Sequence, residues 1–436
     1  MHILFLTQIV PFPPDAGPKV KTWHVLRYLA SIGHHISLAT FVRPEEERHL
    51  PAMRQVCAEV NSVPLRRSRL ADAYYWLRSQ ITGRPFLIER DDQEGMRALV
   101  EQLVDSGQVE VIHADQLTMT QFALPYIAEM LQTKGNGKGS GAYLGAGQRP
   151  ITVFDAHNAV WTIVDRMRDN AKWFLQPFAQ LEAERLKRYE GLIVRTFDHT
   201  LAVTEPDRRA LLQAAKTGRV GTHEKKKRIT VVPIAVDVQR LQPILRRTGS
   251  HNIITLGTLH YPPNADGIRW FARQVFPLVR KQAPQATLTI VGKNPPADFL
   301  QLQAEQPEAI RVTGYVEDLK PYLEQAAVMV VAVRAGGGMR VRILEAFAQG
   351  MPVVTTTLGL QGIEALPGEE VVVADEPQDF AQAVANLLQD DSRQARLAVQ
   401  GRRLAERYYD WRVVLKLMNS IYPPMKAQPA WRDHRE

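Results

Sequence analysis

Cysteine and long apolar runs are both scarce in this chain of 436 residues. Cys57 is the single cysteine, which excludes an intrachain disulfide and a cysteine-rich metal site and fits a reducing compartment. No run reaches the roughly 18 apolar residues that a membrane-spanning helix needs. Residues 1–7 are too short for the apolar region of a signal peptide, so they are predicted to form a buried strand. These absences predict a cytoplasmic protein, soluble or bound to a membrane surface.

Two kinds of motif are also missing. No G-x-G-x-x-G follows the first predicted strand, which argues against a dinucleotide-dependent dehydrogenase. Histidines and carboxylates do not recur at the spacing of metal ligands, so we expect no metal and no permanently bound cofactor. The surplus of basic residues, 54 Lys and Arg against 46 Asp and Glu, gives a net charge of +8 and favours an anionic partner. Phosphate, lipid head groups and nucleic acid all fit that charge.

Short apolar runs alternate with longer amphipathic stretches, a pattern typical of βα units and parallel sheets. The length exceeds the roughly 250 to 300 residues that one hydrophobic core supports, so two doubly wound domains are predicted. We place the first at residues 1–243, the second at 244–405, a C-terminal helix returning to the first domain at 406–425, and a tail at 426–436. The predicted strands are 3–7, 36–41, 109–114, 151–156, 200–204 and 229–233, then 253–257, 287–292, 310–314, 327–333, 352–356 and 370–373.

Three segments need separate interpretation within this alternation of strands and helices. Residues 133–148 contain six glycines and are predicted to be a flexible surface insertion. Residues 216–228 end in three lysines and an arginine, which indicates a solvated loop or, alternatively, a nucleic-acid patch. Residues 159–192 predict two helices separated by a break near Gln176.

The strongest motif begins after the strand predicted at 327–333. Gly336, Gly337 and Gly338 lead into a helix that carries Arg340 and Arg342 near its start. Glycines let the backbone approach an anion, and the free N–H groups at a helix start attract it. This is the outline of a diphosphate site, although a glycine-rich turn with a solvated ion pair is the structural alternative.

The other end of the ligand is predicted from helical spacing. Gly338, Arg342 and Glu345 recur at intervals of four and three residues, so they are expected to share one helix face. A carboxylate one to two turns into the helix can accept hydrogen bonds from ribose hydroxyls. The alternative is an ion pair between Arg342 and Glu345.

This segment resembles the donor-site signature of glycosyltransferase family 4, a group of retaining enzymes with the GT-B fold. The resemblance implies two Rossmann-like domains that face each other across a cleft, and it covers most of the chain. Two departures are evident: Gly337 stands where many members have a first glutamate, and the Arg and Lys pair that often follows the strand ending at Gly257 is missing. Further segments follow the family's order, namely 12–17, 33–36, 155–158, 233–237, 257–264, 290–292 and 312–316.

The resemblance also implies roles for individual residues. His157 would contact the donor sugar and the transition state, and the alternative for it is a hydrogen bond within its turn. Arg340 and Arg342, the other two candidate catalytic residues, are expected to stabilise the leaving diphosphate. His113, at the end of another strand, is the other candidate histidine, and a structural role is favoured for it. The implied substrate is a nucleoside-diphosphate sugar, transferred with retention and without metal. The donor-binding residues implied or inferred are Gly17, Gly336, Gly337, Gly338, Met339, Glu345, Lys293, Tyr315 and Val316.

The acceptor is expected to be a glycan, a lipid-linked molecule or another component of the cell envelope. Residues 66–87 mix cations with aromatic side chains, as in segments that lie on anionic membranes. An ordinary helix that uses its aromatics for the core is the alternative. Three rival functions stay open at this point: a sugar-nucleotide epimerase of the same fold, a nucleic-acid-binding protein, and a non-catalytic GT-B protein. Nucleic acid is the least expected partner, because the basic residues do not form a recognised module.

Overall fold

The structure is a computed structural model that describes residues 1–127, 149–169, 172–216 and 229–425. The insertion predicted at 133–148, most of the basic loop at 216–228 and the tail at 426–436 lie outside the described residues. Among the helices that are described, none combines the length and the apolar character needed to cross a membrane.

The chain forms two compact units. The first contains residues 1–233 and the segment that starts at Leu415, and the second contains Ile234–Val414. The boundary therefore falls before residue 243, the end predicted for the first domain. The boundary lies earlier because Val236 already pairs with backbone of the second unit: Val236 N donates to Tyr409 O at 2.8 Å, and Trp411 N donates to Val236 O at 3.0 Å. This pairing ties the linker to the end of the second unit.

The first unit is built on a seven-stranded parallel sheet with the strand order β3-β2-β1-β4-β5-β6-β7. Its inner strands are buried along almost their whole length, as expected for a sheet covered on both faces. Six strands were predicted; the edge strand β3 was missed. The strands are β1 His2–Thr7, β2 His35–Val42, β3 Glu59–Pro64, β4 Val111–Asp115, β5 Ile151–Ala156, β6 His199–Ala202 and β7 Ile229–Val231.

Helices flank this sheet. Ser68 and Thr204 begin two of them by accepting hydrogen bonds from backbone N–H groups of the first turn. The break predicted near Gln176 agrees with a helix that ends at Asp169 and another that begins at Gln176. The helices are α1 Gly17–Ser31, α2 Leu50–Arg54, α3 Arg69–Thr82, α4 Phe86–Arg90, α5 Glu94–Asp105, α6 Thr120–Ala123, α7 Val160–Asp169, α8 Gln176–Thr196 and α9 Glu205–Ala215, with 3₁₀ turns at Pro44–His49, Leu117–Met119, Leu124–Tyr126 and Leu415–Ser420.

The second unit repeats the design with a six-stranded parallel sheet in the order β10-β9-β8-β11-β12-β13. All six strands were predicted, with small differences at their ends. The strands are β8 Asn252–Leu256, β9 Thr287–Val291, β10 Ile310–Gly314, β11 Ala326–Val331, β12 Val353–Thr355 and β13 Val372–Val373. The helices are α10 Pro262–Trp270, α11 Phe276–Gln282, α12 Ala297–Glu305, α13 Lys320–Gln325, α14 Val341–Ala348, α15 Pro377–Leu388, α16 Asp391–Leu404 and α17 Trp411–Val414, with π-helical turns at Phe271–Val275 and Ala405–Tyr409.

Both sheets reverse their strand order beside the first strand of the unit, between β1 and β4 and between β8 and β11. In open α/β sheets, ligands bind outside the carboxyl ends of the strands at such a switch point. Ligand contacts are therefore expected at the turns after β1, β4 and β5 in the first unit and after β8 and β11 in the second.

Glycines allow the second switch point to be close-packed. A Cβ on Gly267, in α10, would lie 1.9 Å from the Ala332 carbonyl oxygen, and one on Gly292 would lie 1.8 Å from the Gly257 carbonyl oxygen. Any side chain at these positions would displace backbone. The turns after β8, β9 and β11 are thus held against one another.

Candidate functional site

The glycine-rich loop of the second unit runs from the end of β11 to α14. Gly336 and Gly338 have φ angles of +99° and +84°, which side chains other than glycine rarely adopt. The helix begins only at Val341, so Gly338 lies in the loop. The prediction that Gly338 shares a helix face with Arg342 and Glu345 is therefore wrong for Gly338, because a left-handed residue cannot continue a right-handed helix.

Arg340 is the residue immediately before α14, and its guanidinium folds over the loop. A Cβ on Gly336 would lie 3.5 Å from Arg340 Nη2 and 3.7 Å from Pro263 Cβ. Arg340 Nε and Nη2 are buried and have no hydrogen-bond partner among the described residues. Burial lowers the pKa of Arg340, and nearby Tyr261 opposes that shift. Buried donors without an acceptor are costly, so this guanidinium is prepared for an anion.

Arg342 points to the end of the central strand of the same sheet. Its Nη1 donates to the Leu256 carbonyl oxygen, the last of β8, and a Cβ on Gly257 would lie 3.3 Å from the same nitrogen. Burial lowers the pKa of Arg342, and Glu345 opposes the shift. A cation thus stands at the turn after β8, where the Arg and Lys pair of the resembling family is missing from the sequence.

Glu345 lies one turn into α14, on the same helix as Arg342. Its side chain is half-buried, and burial raises its pKa while the positive charge of Arg342 lowers it. A carboxylate held in this way, beside a cation and partly removed from water, is suited to accept hydrogen bonds from hydroxyl groups.

Lys293, Tyr315 and Val316 follow the ends of β9 and β10. Lys293 Nζ lies 4.6 Å from the centre of the exposed Tyr315 ring, a cation–π contact that joins two of the predicted donor-binding residues. Gly292 N donates to Gly314 O at 2.9 Å, which holds the two turns together. Val316 is half-buried in the second of these turns.

Two further predicted donor-site residues have plainer surroundings. Met339, which directly follows Gly338, is buried. Gly337 is half-buried between the two left-handed glycines. Their contribution to a ligand site would therefore come from the backbone.

In the first unit, Gly17 is the first residue of α1, and the preceding Ala16 provides no side-chain cap. The two lysines of this helix start differ. Lys19 lies 3.9 Å from Asp15 and 3.7 Å from Glu46. Lys21 is only 1% exposed and bonds to Asp155 at the end of β5. Lys21 therefore belongs to a buried cluster and does not face a ligand at the helix start.

His157 directly follows β5 and is 8% exposed. Its Nε2 lies 2.7 Å from Asp115 Oδ1, at the end of β4. Asp115 Oδ2 lies 3.1 Å from the Thr7 hydroxyl and 2.9 Å from the Thr22 hydroxyl. Three strand ends and α1 thus converge on one imidazole–carboxylate pair at the switch point of the first sheet.

His113 occupies the neighbouring position inside the sheet and is fully buried. It stacks on Phe5 with ring centres 4.3 Å apart, and its Nδ1 lies 2.6 Å from the Tyr422 hydroxyl. Its Nε2 lies 3.6 Å from Asp155 Oδ2. Burial acts to raise the pKa of Asp155, but Lys21 and His113 outweigh burial and hold that pKa well below its usual range.

His113, Asp115 and Asp155 form the one group of potential metal ligands found among the described residues, with ligand atoms within 4.8 Å of one another. The Lys21 ammonium contacts Asp155, and two threonine hydroxyls contact Asp115. The negative charge of the group is thus partly balanced by a side chain of the protein. The sequence reasoning missed Asp115, Asp155 and Lys21 as members of a cluster.

A signal for this cluster was present in the sequence. The strand β4 ends in His-Ala-Asp, β5 ends in Asp-Ala and is followed directly by His157, and Asp115 pairs in register with Asp155. Because neighbouring parallel strands end at one edge, two such endings must bring their polar side chains together.

Comparisons with known proteins bear on both units. The sequence model of the family described as Glycosyl transferases group 1 matches residues 250–390. A glycogen synthase of Mycobacterium tuberculosis is 28% identical over 207 residues, which cover 44% of this chain and 48% of the relative. A GDP-mannose-dependent alpha-(1-6)-phosphatidylinositol monomannoside mannosyltransferase of Mycolicibacterium smegmatis is 30% identical over 152 residues, 32% of this chain and 40% of the relative. The chain spans about half the length of the curated relatives it matches.

Solved structures match over almost the whole chain. Sucrose-phosphate synthase from Thermosynechococcus elongatus has a TM-score of 0.65 at 17% identity and covers 97% of this chain and 98% of its own. The Anabaena protein HepE, solved in complex with UDP-glucose, has a TM-score of 0.61 at 14% identity with the same coverage. The predicted resemblance to glycosyltransferases of the GT-B fold is confirmed: the solved structures support the fold over almost the whole chain, and the family model matches residues 250–390.

Proposed function

We propose that the chain is a glycosyltransferase that takes a sugar from a nucleoside-diphosphate sugar. The observation that carries the proposal is that Nε and Nη2 of Arg340 are buried without a hydrogen-bond partner among the described residues, over a loop whose Gly336 and Gly338 are left-handed. This loop lies inside the segment that matches the group 1 family. A diphosphate supplies the acceptor oxygens and the negative charge that such a site lacks.

In the proposed donor site, separate groups of residues in the second unit bind the diphosphate, the ribose and the base. Arg340 and the N–H groups at the start of α14 bind the diphosphate, and Arg342 adds charge at the turn after β8. Glu345 accepts hydrogen bonds from the ribose hydroxyls. Lys293, Tyr315 and Val316, at the ends of β9 and β10, bind the base largely through backbone atoms. The neighbour solved with UDP-glucose supports a nucleotide sugar as the class of donor.

In the first unit, we assign His157 to the donor sugar and the N–H groups of the α1 start, at Gly17, to a phosphate or to the acceptor. A site rich in arginine and poor in free carboxylates stabilises a leaving diphosphate better than it activates a nucleophile. That balance supports transfer with retention of configuration and without a metal. Proton NMR of the first product formed tests retention, and an inverted anomer would contradict it.

A surface in the first unit supports a membrane-associated acceptor, either lipid-linked or part of the cell envelope. Leu70, Tyr74, Leu77 and Ile81 recur along α3 at intervals of four, three and four residues, and all are exposed, Leu70 by 85% and Ile81 by 80%. Ser79 is the only residue of α3 that is fully buried. The exposure of Tyr74 and Trp76, two of the three aromatic residues of α3, weighs against the alternative of an ordinary helix that turns its aromatics to the core.

The exposed stripe of α3 continues onto the start of α8. Trp76 and Phe178 have ring centres 6.3 Å apart, and Trp173 and Phe174 precede α8 with exposed side chains. Exposed Arg66 and Arg69 stand at the N-terminal side of α3. Aromatic and aliphatic side chains beside cations are typical of helices that lie in the interface of an anionic membrane.

The membrane proposal is tested by sedimentation with vesicles. Wild type should sediment with anionic but not with neutral vesicles, and raised salt should release it. Leu77→Ser combined with Ile81→Ser should abolish sedimentation, whereas Leu300→Ser, at an exposed leucine of the second unit, should not. Sedimentation that ignores lipid charge or survives the double variant would contradict the proposal.

Ligand binding and turnover test the enzymatic proposal. A thermal-shift panel of nucleoside diphosphates and nucleotide sugars should identify the donor, because a ligand stabilises the folded state by RT ln(1 + [L]/Kd). Incubation with that donor alone separates the rivals: an isomerised sugar nucleotide indicates an epimerase. Donor that binds but is neither hydrolysed nor transferred to any acceptor indicates a non-catalytic protein. Tight, salt-sensitive binding to duplex DNA would instead favour a nucleic-acid partner.

A further inference from the structure

The pairing between His157 and Asp115 has a chemical consequence for the histidine ring. Asp115 is fully buried, and each of its oxygens faces a donor group: Oδ1 faces His157 Nε2, and Oδ2 faces the hydroxyls of Thr7 and Thr22. Each hydroxyl also lies near a backbone carbonyl, that of Ile9 for Thr7 and that of Pro18 for Thr22. An ionised carboxylate is the stronger acceptor of the two, so the hydroxyl protons point to Asp115.

We infer that Asp115 is a positioning residue, which fixes the proton of the His157 ring on Nε2 and leaves Nδ1 as a hydrogen-bond acceptor. An ionised carboxylate only accepts hydrogen bonds, so the nitrogen that faces it carries the proton. His157 Nδ1 is buried and has no hydrogen-bond partner among the described residues. The group that His157 recognises therefore presents an O–H or N–H to Nδ1, as a sugar hydroxyl does.

The surrounding network keeps this arrangement rigid. Thr7 ends β1, Asp115 ends β4 and His157 follows β5, while Thr22 comes from α1, so four elements fix the pair. The Lys21 ammonium neutralises the second buried carboxylate, Asp155, whereas Asp115 pairs with His157. The role of His157 in transfer rests on the proposed function, but its tautomer does not.

The tautomer is measured on the whole protein with ¹⁵N-labelled histidine. Long-range ¹H–¹⁵N spectra report the protonation of each ring nitrogen, and His157→Gln identifies the signals by their loss. Wild type should show Nε2 protonated and Nδ1 bare. In Asp115→Asn the side-chain amide can donate to Nε2, so the proton should move to Nδ1. A wild-type ring protonated on Nδ1, alone or together with Nε2, at the pH of the transfer assay would overturn the inference.

Kinetics then separate positioning from simple support of the fold. Asp115→Asn should lower kcat by about 10² or more and leave the KM for the donor within a few-fold, the pattern of a group that acts chiefly in the transition state. The double variant with His157→Ala should be no slower than His157→Ala alone, because the two residues act as one unit. Multiplicative losses in the double variant would assign Asp115 a structural role instead.

Two further variants control for damage to the fold. Asp91→Asn alters another fully buried carboxylate of the first unit, which accepts from Arg67, Arg90 and Gln8, and should leave the His157 signals and kcat unchanged. Thr22→Val serves as the second test if Asp115→Asn fails to fold. It keeps the charge of Asp115 and removes only one of its hydrogen-bond donors, so the His157 proton should stay on Nε2. If no donor is ever transferred, the proposed function fails, while the spectra still decide the tautomer.

Discussion

Replacement of Arg340 by alanine should affect the free and the ligand-bound protein in opposite ways. In the free protein, the change removes buried donors that have no partner among the described residues, so the melting temperature should stay equal or rise. In the complex, it removes a charge-assisted contact to the diphosphate, worth about 1.5 to 3 kcal/mol. Because 1.4 kcal/mol corresponds to a factor of 10, Kd for the diphosphate should rise about 10- to 150-fold.

The thermal-shift assay makes this contrast visible. At a ligand concentration of about 100 times the wild-type Kd, binding stabilises the fold by about 2.7 kcal/mol. A 100-fold weaker variant would retain only about 0.4 kcal/mol at that concentration. For a unit of this size, a stabilisation that moves Tm by about 5 to 11 °C would shrink to less than about 2 °C.

Three comparisons make the result specific to the phosphates. Arg340→Lys should recover part of the affinity, since it keeps the charge but loses the fork of donors. The bare nucleoside should bind wild type and Arg340→Ala alike. Arg396→Ala, at an exposed arginine of α16 in the same unit, should change neither Tm nor the ligand-induced shift. Unchanged diphosphate affinity in Arg340→Ala, or an equal loss for the nucleoside, would refute the placement of the diphosphate.

Two other changes test the ribose contact and a buried acid. Glu345→Gln should weaken binding of ribonucleoside diphosphates by removing a charged acceptor, while a 2′,3′-dideoxy analogue should bind mutant and wild type equally; a large difference with the analogue would indicate a structural role. Glu190 of α8 accepts hydrogen bonds from Val160 and Trp161 at the start of α7, and burial raises its pKa to about 8. Since the folded state then binds more protons than the unfolded state from about pH 4.5 to about pH 8, stability of the first unit should fall as pH rises through this window. Glu190→Gln should flatten that slope in urea titrations, and an unchanged slope would contradict the assignment.

The fold was predictable because buried parallel strands are nearly continuous apolar runs between helical stretches. Of the thirteen strands in the described part of the chain, twelve were anticipated on that basis. The exception, β3, reads Glu-Val-Asn-Ser-Val-Pro and lies at the sheet edge, where its half-exposed side chains give no apolar run. An edge strand is specified by its neighbour more than by its own composition.

The candidate site could be predicted only where its residues are neighbours in the sequence. The three glycines and two arginines of the glycine-rich loop lie close together in the sequence, but the direction of the Arg342 guanidinium is set by distant backbone, the Leu256 carbonyl. The histidine cluster joins Lys21 to Asp155, which are 134 positions apart, and no spacing rule connects them. The prediction that Gly338 shares a helix face with Arg342 and Glu345 was wrong because helical spacing applies only to residues that lie in the helix, and this helix begins at Val341.

The path of the chain makes the second unit an insertion into the first. Tyr422, fully buried in the first unit, contacts His113 from the segment that follows Val414. During synthesis, the unit that starts first is therefore completed last, and the whole second unit emerges before that tyrosine does. Until then, the ring of His113 lacks its hydroxyl partner and the cavity that Tyr422 fills is open. A released chain that ends at Val414 should thus hold a complete second unit and an incomplete first one, so the segment from Leu415 to Tyr422 completes the surroundings of His113 last.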